Sequence, residues 1–467
     1  MPRLARTALA LAAVLVAAAC TGTPSTATRE ATSRTVPFTG CNRVKCTGVL
    51  AGAKYEVKLP QTWNGTLLIY SHGYRTVEAA PPDNAPPDTT PMSAPTDEVA
   101  QQLLDAGYAL AGSAYAKNGW AVQEGVEAGE DLYGWFRDKV GQPDRVYVWG
   151  SSLGGLITET LAEKHPEWIS GAVPMCGPLA GLNTNFDLAL DLAFAVKTLI
   201  YPELKLTGYA SHAEAVHYYD ETQKRVLALA GDTRNGVPKL LALAAILDAP
   251  QKTSRFDGST VLSRGKAVGE AVLTSMGYAT FGRYDVESRV GGNPSGNVGV
   301  DYGKRISKDE RDLAEKIAPG ALGKALAELA KAPRVTPDPE ARRKAEVLGD
   351  PTGDIKDPVI TLHTGYDPLV LVQNETVFAD RVAKSKTRTA DLVQVFTEPP
   401  AAYSDPAPYG AGHCNFTTDE QTGMIRALDA WVKGGGVPGP RTIGTAMRGD
   451  KGFSPLFTPG PWPAATS

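Results

Sequence analysis

The pentapeptide Gly150-Ser151-Ser152-Leu153-Gly154 carries the sharpest chemical signal in the sequence. A run of β-branched and aromatic residues precedes it at 145–149, and a helical pattern follows over 152–164. G-x-S-x-G between a strand and a helix makes a tight turn that lifts a serine hydroxyl clear of the chain. Glycine on either side lets neighbouring segments approach where a Cβ would collide. The turn also aims the N–H of Leu153, with the positive end of the helix, at the space where an oxyanion forms when a carbonyl is attacked. Ser152 is therefore the expected nucleophile. A serine hydroxyl reacts poorly near neutral pH, so it needs a general base and an acid to orient that base.

The sequence offers six histidines: His72, His165, His212, His217, His363 and His413. His413 lies in Tyr409-Gly410-Ala411-Gly412-His413-Cys414, a glycine-rich loop after the last strand pattern and before the last long helix pattern. Asp367 lies in His363-Thr364-Gly365-Tyr366-Asp367-Pro368, directly after the preceding strand pattern. The order is Ser, Asp, His, and each residue falls at the carboxyl end of a strand, where parallel sheets bind ligands. His413 is the expected base and Asp367 the expected acid. His72-Gly73-Tyr74 ends the run 66–71, and the backbone N–H of Tyr74 or Gly73 is expected to join that of Leu153 as an oxyanion donor. His72 and His363 read as structural. His165, His212 and His217 sit on or beside helix patterns and read as surface or core residues.

These side chains need a sheet to hold them. Short apolar runs rich in β-branched and aromatic residues occur at 54–59, 66–71, 108–113, 145–149, 171–176, 358–363 and 392–397, which fits strands buried on both faces. Helical patterns at 96–106, 121–140, 152–164 and 418–433 alternate with them, the last with a capping-box spacing from Thr418 to Gln421. The alternation predicts an α/β fold with a mostly parallel central sheet and helices on both faces. It breaks over 179–357, where helices are expected at 187–199, 213–229, 238–247, 263–274 and 308–331. This stretch reads as a helical cap inserted between the fifth and sixth expected strands. Residues 240–247 are apolar on all sides and are expected to be buried. The Gly- and Pro-rich segments 79–95 and 291–299 read as exposed connectors.

Of the five cysteines, Cys20 closes an N-terminal segment, leaving Cys41, Cys46, Cys176 and Cys414. An even set in an exported chain favours two disulfides, with three connectivities open. Cys41 and Cys46 are near neighbours and are expected to pair, which leaves Cys176 with Cys414. No CxxC or HxxxH spacing calls for a metal.

The elbow at Ser152, the H-G-x turn at His72 and the order Ser152, Asp367, His413 resemble the α/β-hydrolase superfamily over about 54–176 and 358–433. The resemblance implies the α/β-hydrolase fold and a Ser-His-Asp triad working through an acyl-enzyme; the expected helical cap lies outside it and matches no named family. A finer likeness is to tannase and feruloyl-esterase-type hydrolases, in which a Cys after the catalytic His is bridged to a Cys before the catalytic Ser. His413-Cys414 matches the first half of that pattern; Ser151 stands where the second Cys would be. Cys176, at the end of the next strand, is a spatial substitute, and the likeness then implies a Cys176–Cys414 clamp on the histidine loop. The departure leaves the aryl-ester substrate class open.

Arg3 and Arg6 precede an apolar run over 8–19 that ends at Cys20, the pattern of a secretory signal. The run is too short to span a bilayer comfortably. Ala17-Ala18-Ala19-Cys20 resembles a bacterial lipobox with Ala17 in place of the usual Leu, which makes Cys20 the lipidation candidate; plain cleavage after Ala19 is the alternative. The expected organisation is a signal at 1–20, a Thr/Ser-rich tether at 21–36, the first part of a hydrolase core at 37–178, the cap at 179–357, and the rest of the core with a tail at 358–467. With 47 Lys and Arg against 51 Asp and Glu, the chain lacks the basic excess that nucleic-acid binding needs. The expected function is an extracytoplasmic serine hydrolase of carboxylic esters, needing no cofactor or metal. Its partner is a small-molecule or short-peptide acyl substrate, and it meets a membrane only through a lipid anchor. The alternative is a serine peptidase of the same fold, with Asp187, Asp191 or Glu214 anchoring a free amine. A third reading, a non-catalytic surface binding protein, would not call for all three catalytic residue types.

Overall fold

The computed structural model describes residues 45–462 apart from 402 and 404–407. The expected signal, tether, lipidation site Cys20 and the Cys41 half of the local disulfide lie outside the described residues, all of which belong to one unit, Ser33–Ser467. In chain order the first part runs β1 (Lys45–Leu50), β2 (Ala53–Lys58), β3 (Thr66–Ser71), α1 (Asp97–Asp105), β4 (Ala109–Ser113), α2 (Val122–Lys139), β5 (Arg145–Ser151), α3 (Leu153–Lys164) and β6 (Gly171–Met175). An insertion follows with α4 (Leu182–Leu199), α5 (His212–Gly231), α6 (Gly236–Leu247), α7 (Val261–Gly277), α8 (Arg283–Val290), α9 (Lys308–Ile317), α10 (Ala321–Lys331) and α11 (Pro339–Val347). The chain then returns through β7 (Val359–Thr364), α12 (Asn374–Lys384), β8 (Leu392–Thr397), α13 (Thr418–Ala430) and α14 (Pro440–Ala446).

The strands form one eight-stranded sheet in the order β1-β2-β4-β3-β5-β6-β7-β8. β2 is antiparallel to both its neighbours, and β3 to β8 pair in parallel. Period-2 side-chain alternation explains how both faces are filled. On one face Leu67 and Ile69 of β3 and Val146 and Val148 of β5 pack with Phe136 of α2 and Leu156, Ile157 and Leu161 of α3. On the other, Leu68, Tyr70, Tyr147 and Trp149 pack with Leu103 of α1 and Met424 and Leu428 of α13. The insertion has its own core, in which Leu240 to Leu247 of α6 are buried among α4, α5, α7 and α10. Among the described residues, no helix is long and apolar enough to cross a membrane.

Several expectations are corrected. The expected helix over 308–331 is two helices, α9 and α10, because Pro319 cannot continue the first and Gly320 turns at φ 77°. The capping box of α13 begins one residue early: Thr417 accepts from the Glu420 N–H while the Glu420 carboxylate accepts from the Thr417 N–H. The segment 79–95 is exposed at its middle but buried at its end, where the N–H and hydroxyl of Ser93 donate to Glu56 at 3.0 and 2.5 Å. In 291–299, Ser295 and Asn297 are buried, and Ser295 accepts from the fully buried Arg283 at 3.1 Å.

Candidate active site

Ser152 joins β5 to α3 with φ 59° and ψ −128°, a left-handed backbone that costs a non-glycine residue about 1–3 kcal/mol. The surroundings over-determine it. The Ser152 N–H donates to the Met175 carbonyl at 3.0 Å, at the end of the adjacent β6, and the Ser152 carbonyl accepts from Gly155 at 2.8 Å. A Cβ at Gly150 would lie 2.4 Å from the Gly154 carbonyl oxygen, and one at Gly154 would lie 1.9 Å from that of Ser71. The turn therefore exists only with glycine on both sides, which is the physical content of the motif.

Asp367 follows β7 and is buried. One carboxylate oxygen accepts from the N–H groups of Leu369 and Val370 at 2.8 and 3.0 Å. The other lies 2.8 Å from His413 Nδ1. An ionised carboxylate can only accept, so Nδ1 carries the proton and Nε2 is left to accept the Ser152 hydroxyl at 2.7 Å. The three residues chosen from the sequence thus stand in one hydrogen-bonded line.

The histidine loop is pinned from several sides. The Gly412 N–H donates to the Tyr366 carbonyl at 3.0 Å, and the Asn415 amide donates to the Pro408 and Ala411 carbonyls at 2.9 and 2.8 Å. Cys414 is disulfide-bonded to Cys176 across a sequence separation of 238, tying the loop to the end of β6. Donor atoms of Asp367, His413 and Cys414 fall within 4.8 Å of one another, but the Cys414 sulfur is already bonded and offers no thiolate to a metal.

Gly73 lies against Ser152: a Cβ there would meet that of Ser152 at 3.0 Å. Leu153 opens α3, so its N–H has no partner within the helix. Tyr74 packs edge-on against Tyr278, with ring centroids 5.9 Å apart. His72 holds the turn. Its Nδ1–H donates to the Gly73 carbonyl at 2.7 Å and its ring stacks on Tyr115 at 4.0 Å. Burial, then the charge of Arg75, pushes its pKa down to about 4, so the ring is neutral near neutral pH.

His363 is buried beneath the acid loop. Its nitrogens face the Glu375 carboxylate at 3.2 Å and the Val370 carbonyl at 2.9 Å, both pure acceptors. Burial opposes charge on the ring, but the Glu375 hydrogen bond and the charges of Glu375 and Asp367 outweigh it and hold the pKa above the usual imidazole value. Of the other histidines, His165 pairs with Glu130 and Glu167, His212 is buried at the start of α5, and His217 is exposed. The acids weighed as amine anchors are engaged: Asp187 with Arg342 at 3.0 Å, Asp191 with Arg305 at 2.7 Å, and Glu214 with Lys205 at 3.0 Å.

Tyr278 is the residue that sequence reasoning missed. It begins a π-helical turn, Tyr278–Gly282, that continues α7 in the insertion. Its hydroxyl is sealed from solvent and faces Ser152 closely enough for the serine to draw its pKa down, yet completes no hydrogen bond. Burial and the charge of Asp367 nonetheless push that pKa up, so the hydroxyl keeps its proton. No spacing rule relates a position in an insertion to a sheet-edge serine, so only the folded chain reveals it.

No family model and no curated protein matches the sequence. Among solved structures, feruloyl esterase B from Aspergillus oryzae is 14% identical with a TM-score of 0.41, over 84% of this chain and 80% of that one. An esterase from Aspergillus oryzae is 17% identical with a TM-score of 0.38, over 83% and 78%. A serine hydrolase from the polyaromatic hydrocarbon-degrading bacterium Cycloclasticus zankles is 12% identical with a TM-score of 0.33, over 84% and 98%. The strand order, the antiparallel second strand and the serine turn after the fifth strand are those of the α/β-hydrolase fold, and this chain has that fold.

Proposed function

We propose that the protein is an exported serine hydrolase that cleaves carboxylic esters through an acyl-enzyme. The observation that carries the reading is the line from Asp367 through His413 to Ser152, closed at 2.8 and 2.7 Å. Ser152 Oγ attacks the ester carbonyl as its proton passes to His413 Nε2. Asp367 fixes the tautomer of His413 and stabilises the imidazolium. The N–H of Leu153, with that of Gly73 or Tyr74, stabilises the oxyanion. His413 then gives the proton to the departing alcohol. In the second half a water attacks the acyl-enzyme as His413 takes its proton; the acyl–Oγ bond then breaks, His413 returns the proton to Ser152 Oγ, and the acid is released.

Two observations favour esters over peptides with a free amine. The acids weighed as amine anchors are neutralised by Arg342, Arg305 and Lys205. The cavity beside Tyr278 is walled largely by aliphatic side chains. The Cys176–Cys414 disulfide supports an oxidising compartment, in line with the signal-like start of the sequence and lipidation at Cys20.

The test compares the protein with its Ser152→Ala variant on nitrophenyl esters and on amino-acid and short-peptide amides. Ester turnover is expected to fall on the order of a million-fold in the variant. Amide turnover with weak ester turnover would move the assignment to a peptidase. Ester turnover that survives Ser152→Ala would overturn the mechanism.

A further inference from the structure

We infer that a small apolar cavity between the insertion and the acid loop is the acyl-chain subsite, and that it selects esters of short aliphatic acids. The inference rests on the ester-hydrolase reading above and adds the substrate class.

The cavity measures about 50 Å³. Its walls are Leu188, Ala189 and Leu192 of α4, Leu247 at the end of α6, Val272 of α7, and Leu369 two residues beyond Asp367. Two polar side chains also border it, and both are already bonded. The Asn185 amide donates to the Gly181 carbonyl at 2.8 Å and to Asn374 at 3.0 Å, and the Asn185 carbonyl accepts from Asn374 at 3.2 Å. The Ser275 hydroxyl donates to the Pro368 carbonyl at 2.5 Å. Among the described residues, no charged side chain lines the space. A charged acyl substituent would lose its water there and find no counter-charge, with the Tyr278 hydroxyl as the unbonded polar group beside it.

Tyr278 connects this space to the chemistry. Tyr278 lines the wall and packs edge-on against Tyr74, with ring centroids 5.9 Å apart, and the neighbouring Gly73 lies directly against Ser152. Leu369 ties the opposite wall to the site, because its N–H is held by the Asp367 carboxylate at 2.8 Å. An acyl chain leaving the carbonyl carbon on Ser152 therefore passes Tyr278 into aliphatic surroundings.

Volume limits the chain. A water-sized group needs about 10–15 Å³ of such space, so the cavity holds about four. Butanoyl to hexanoyl chains fill it. Longer chains and rigid aromatic acids do not fit without displacing α4 or α7. Burying one methylene contributes about 0.8 kcal/mol, or about fourfold in kcat/KM.

The experiment measures kcat/KM for nitrophenyl esters from acetate to dodecanoate with the intact protein, Ser152→Ala, Ala189→Phe and Leu192→Ala. The protein is expected to gain about fourfold per methylene up to butanoate or hexanoate and to decline beyond. Ala189→Phe fills the cavity and is expected to collapse the hexanoate-to-acetate ratio. Leu192→Ala enlarges it and is expected to shift the optimum to longer acids. Thermal melts check that each variant folds; should Ala189→Phe fail, Leu192→Ala carries the test, since truncation introduces no clash. Ser152-dependent hydrolysis with one unchanged chain-length profile in every folded variant overturns the subsite alone. Absence of Ser152-dependent ester hydrolysis overturns the function on which it rests.

Discussion

A Cβ at Gly154 would stand 1.9 Å from the Ser71 carbonyl oxygen and 2.7 Å from that of His72. Both contacts are backbone, so neither can swing aside. Gly154→Ala must therefore displace the serine turn or the turn that carries Gly73, and both border the reacting carbonyl. A misplacement near 1 Å costs about a hundredfold in rate, and kcat/KM for a reactive ester is expected to fall at least that far. Unchanged kinetics in a folded Gly154→Ala protein would show that the turn has slack. A second residue bears on stability. Glu159 of α3 is fully buried, and neither carboxylate oxygen has a hydrogen-bond partner. Burial, with the nearby Glu163 and Glu375, pushes its pKa well above the usual carboxylate value. The folded chain thus keeps a proton that the unfolded chain releases above about pH 4.3, so this group lowers stability as pH rises from there toward its folded value. Glu159→Gln imitates the protonated form. It is expected to raise the melting temperature at pH 8 more than at pH 5, and an equal shift at both would refute the assignment.

The elements that hold the site follow patterns that the sequence displays openly. β3, β5, β7 and β8 are short runs rich in branched or aromatic side chains, and β6 is a short apolar run buried throughout; a strand buried on two sides leaves that trace. β1 escaped notice because it is an edge strand exposed at alternate residues, so Lys45-Cys46-Thr47-Gly48-Val49-Leu50 forms no apolar block. α8 escaped for the opposite reason. Its buried Arg283, Asp285 and Glu287 are paired, Arg283 with Glu287 and Asp285 with the half-buried Arg289, which also reaches Glu124, so a core helix carries a surface composition. The link between β6 and the histidine loop has its own test. The Cys176–Cys414 bridge closes a loop of 238 residues, and removing such a link costs about 2–4 kcal/mol. The Cys176→Ala/Cys414→Ala protein is expected to melt lower by that equivalent. Its kcat is also expected to drop, because the bridge holds the residue adjoining His413. A lower melting temperature with unchanged kcat would make the bridge a staple for the fold alone.

Across the whole molecule, the ends of the sheet strands carry the proposed reacting groups, and the insertion carries most of the walls of the proposed subsite. Ser152, Asp367 and His413 come from loops after β5, β7 and β8, and their order along the chain is enough to find them. Tyr278, Leu192 and Val272 come from helices whose apolar faces fill a separate core, and nothing in their spacing distinguishes a cavity wall from that core. The placement of Ser152, Asp367 and His413 was therefore legible in the sequence, and the cavity walls were not. We propose Ser152 as the nucleophile of an acyl transfer. A fluorophosphonate probe, with the adduct mapped by peptide mass spectrometry, tests this role. One adduct is expected on Ser152, none in Ser152→Ala, and labelling slowed at least a hundredfold in His413→Ala. An adduct on another residue, or no labelling of a folded protein, would contradict it.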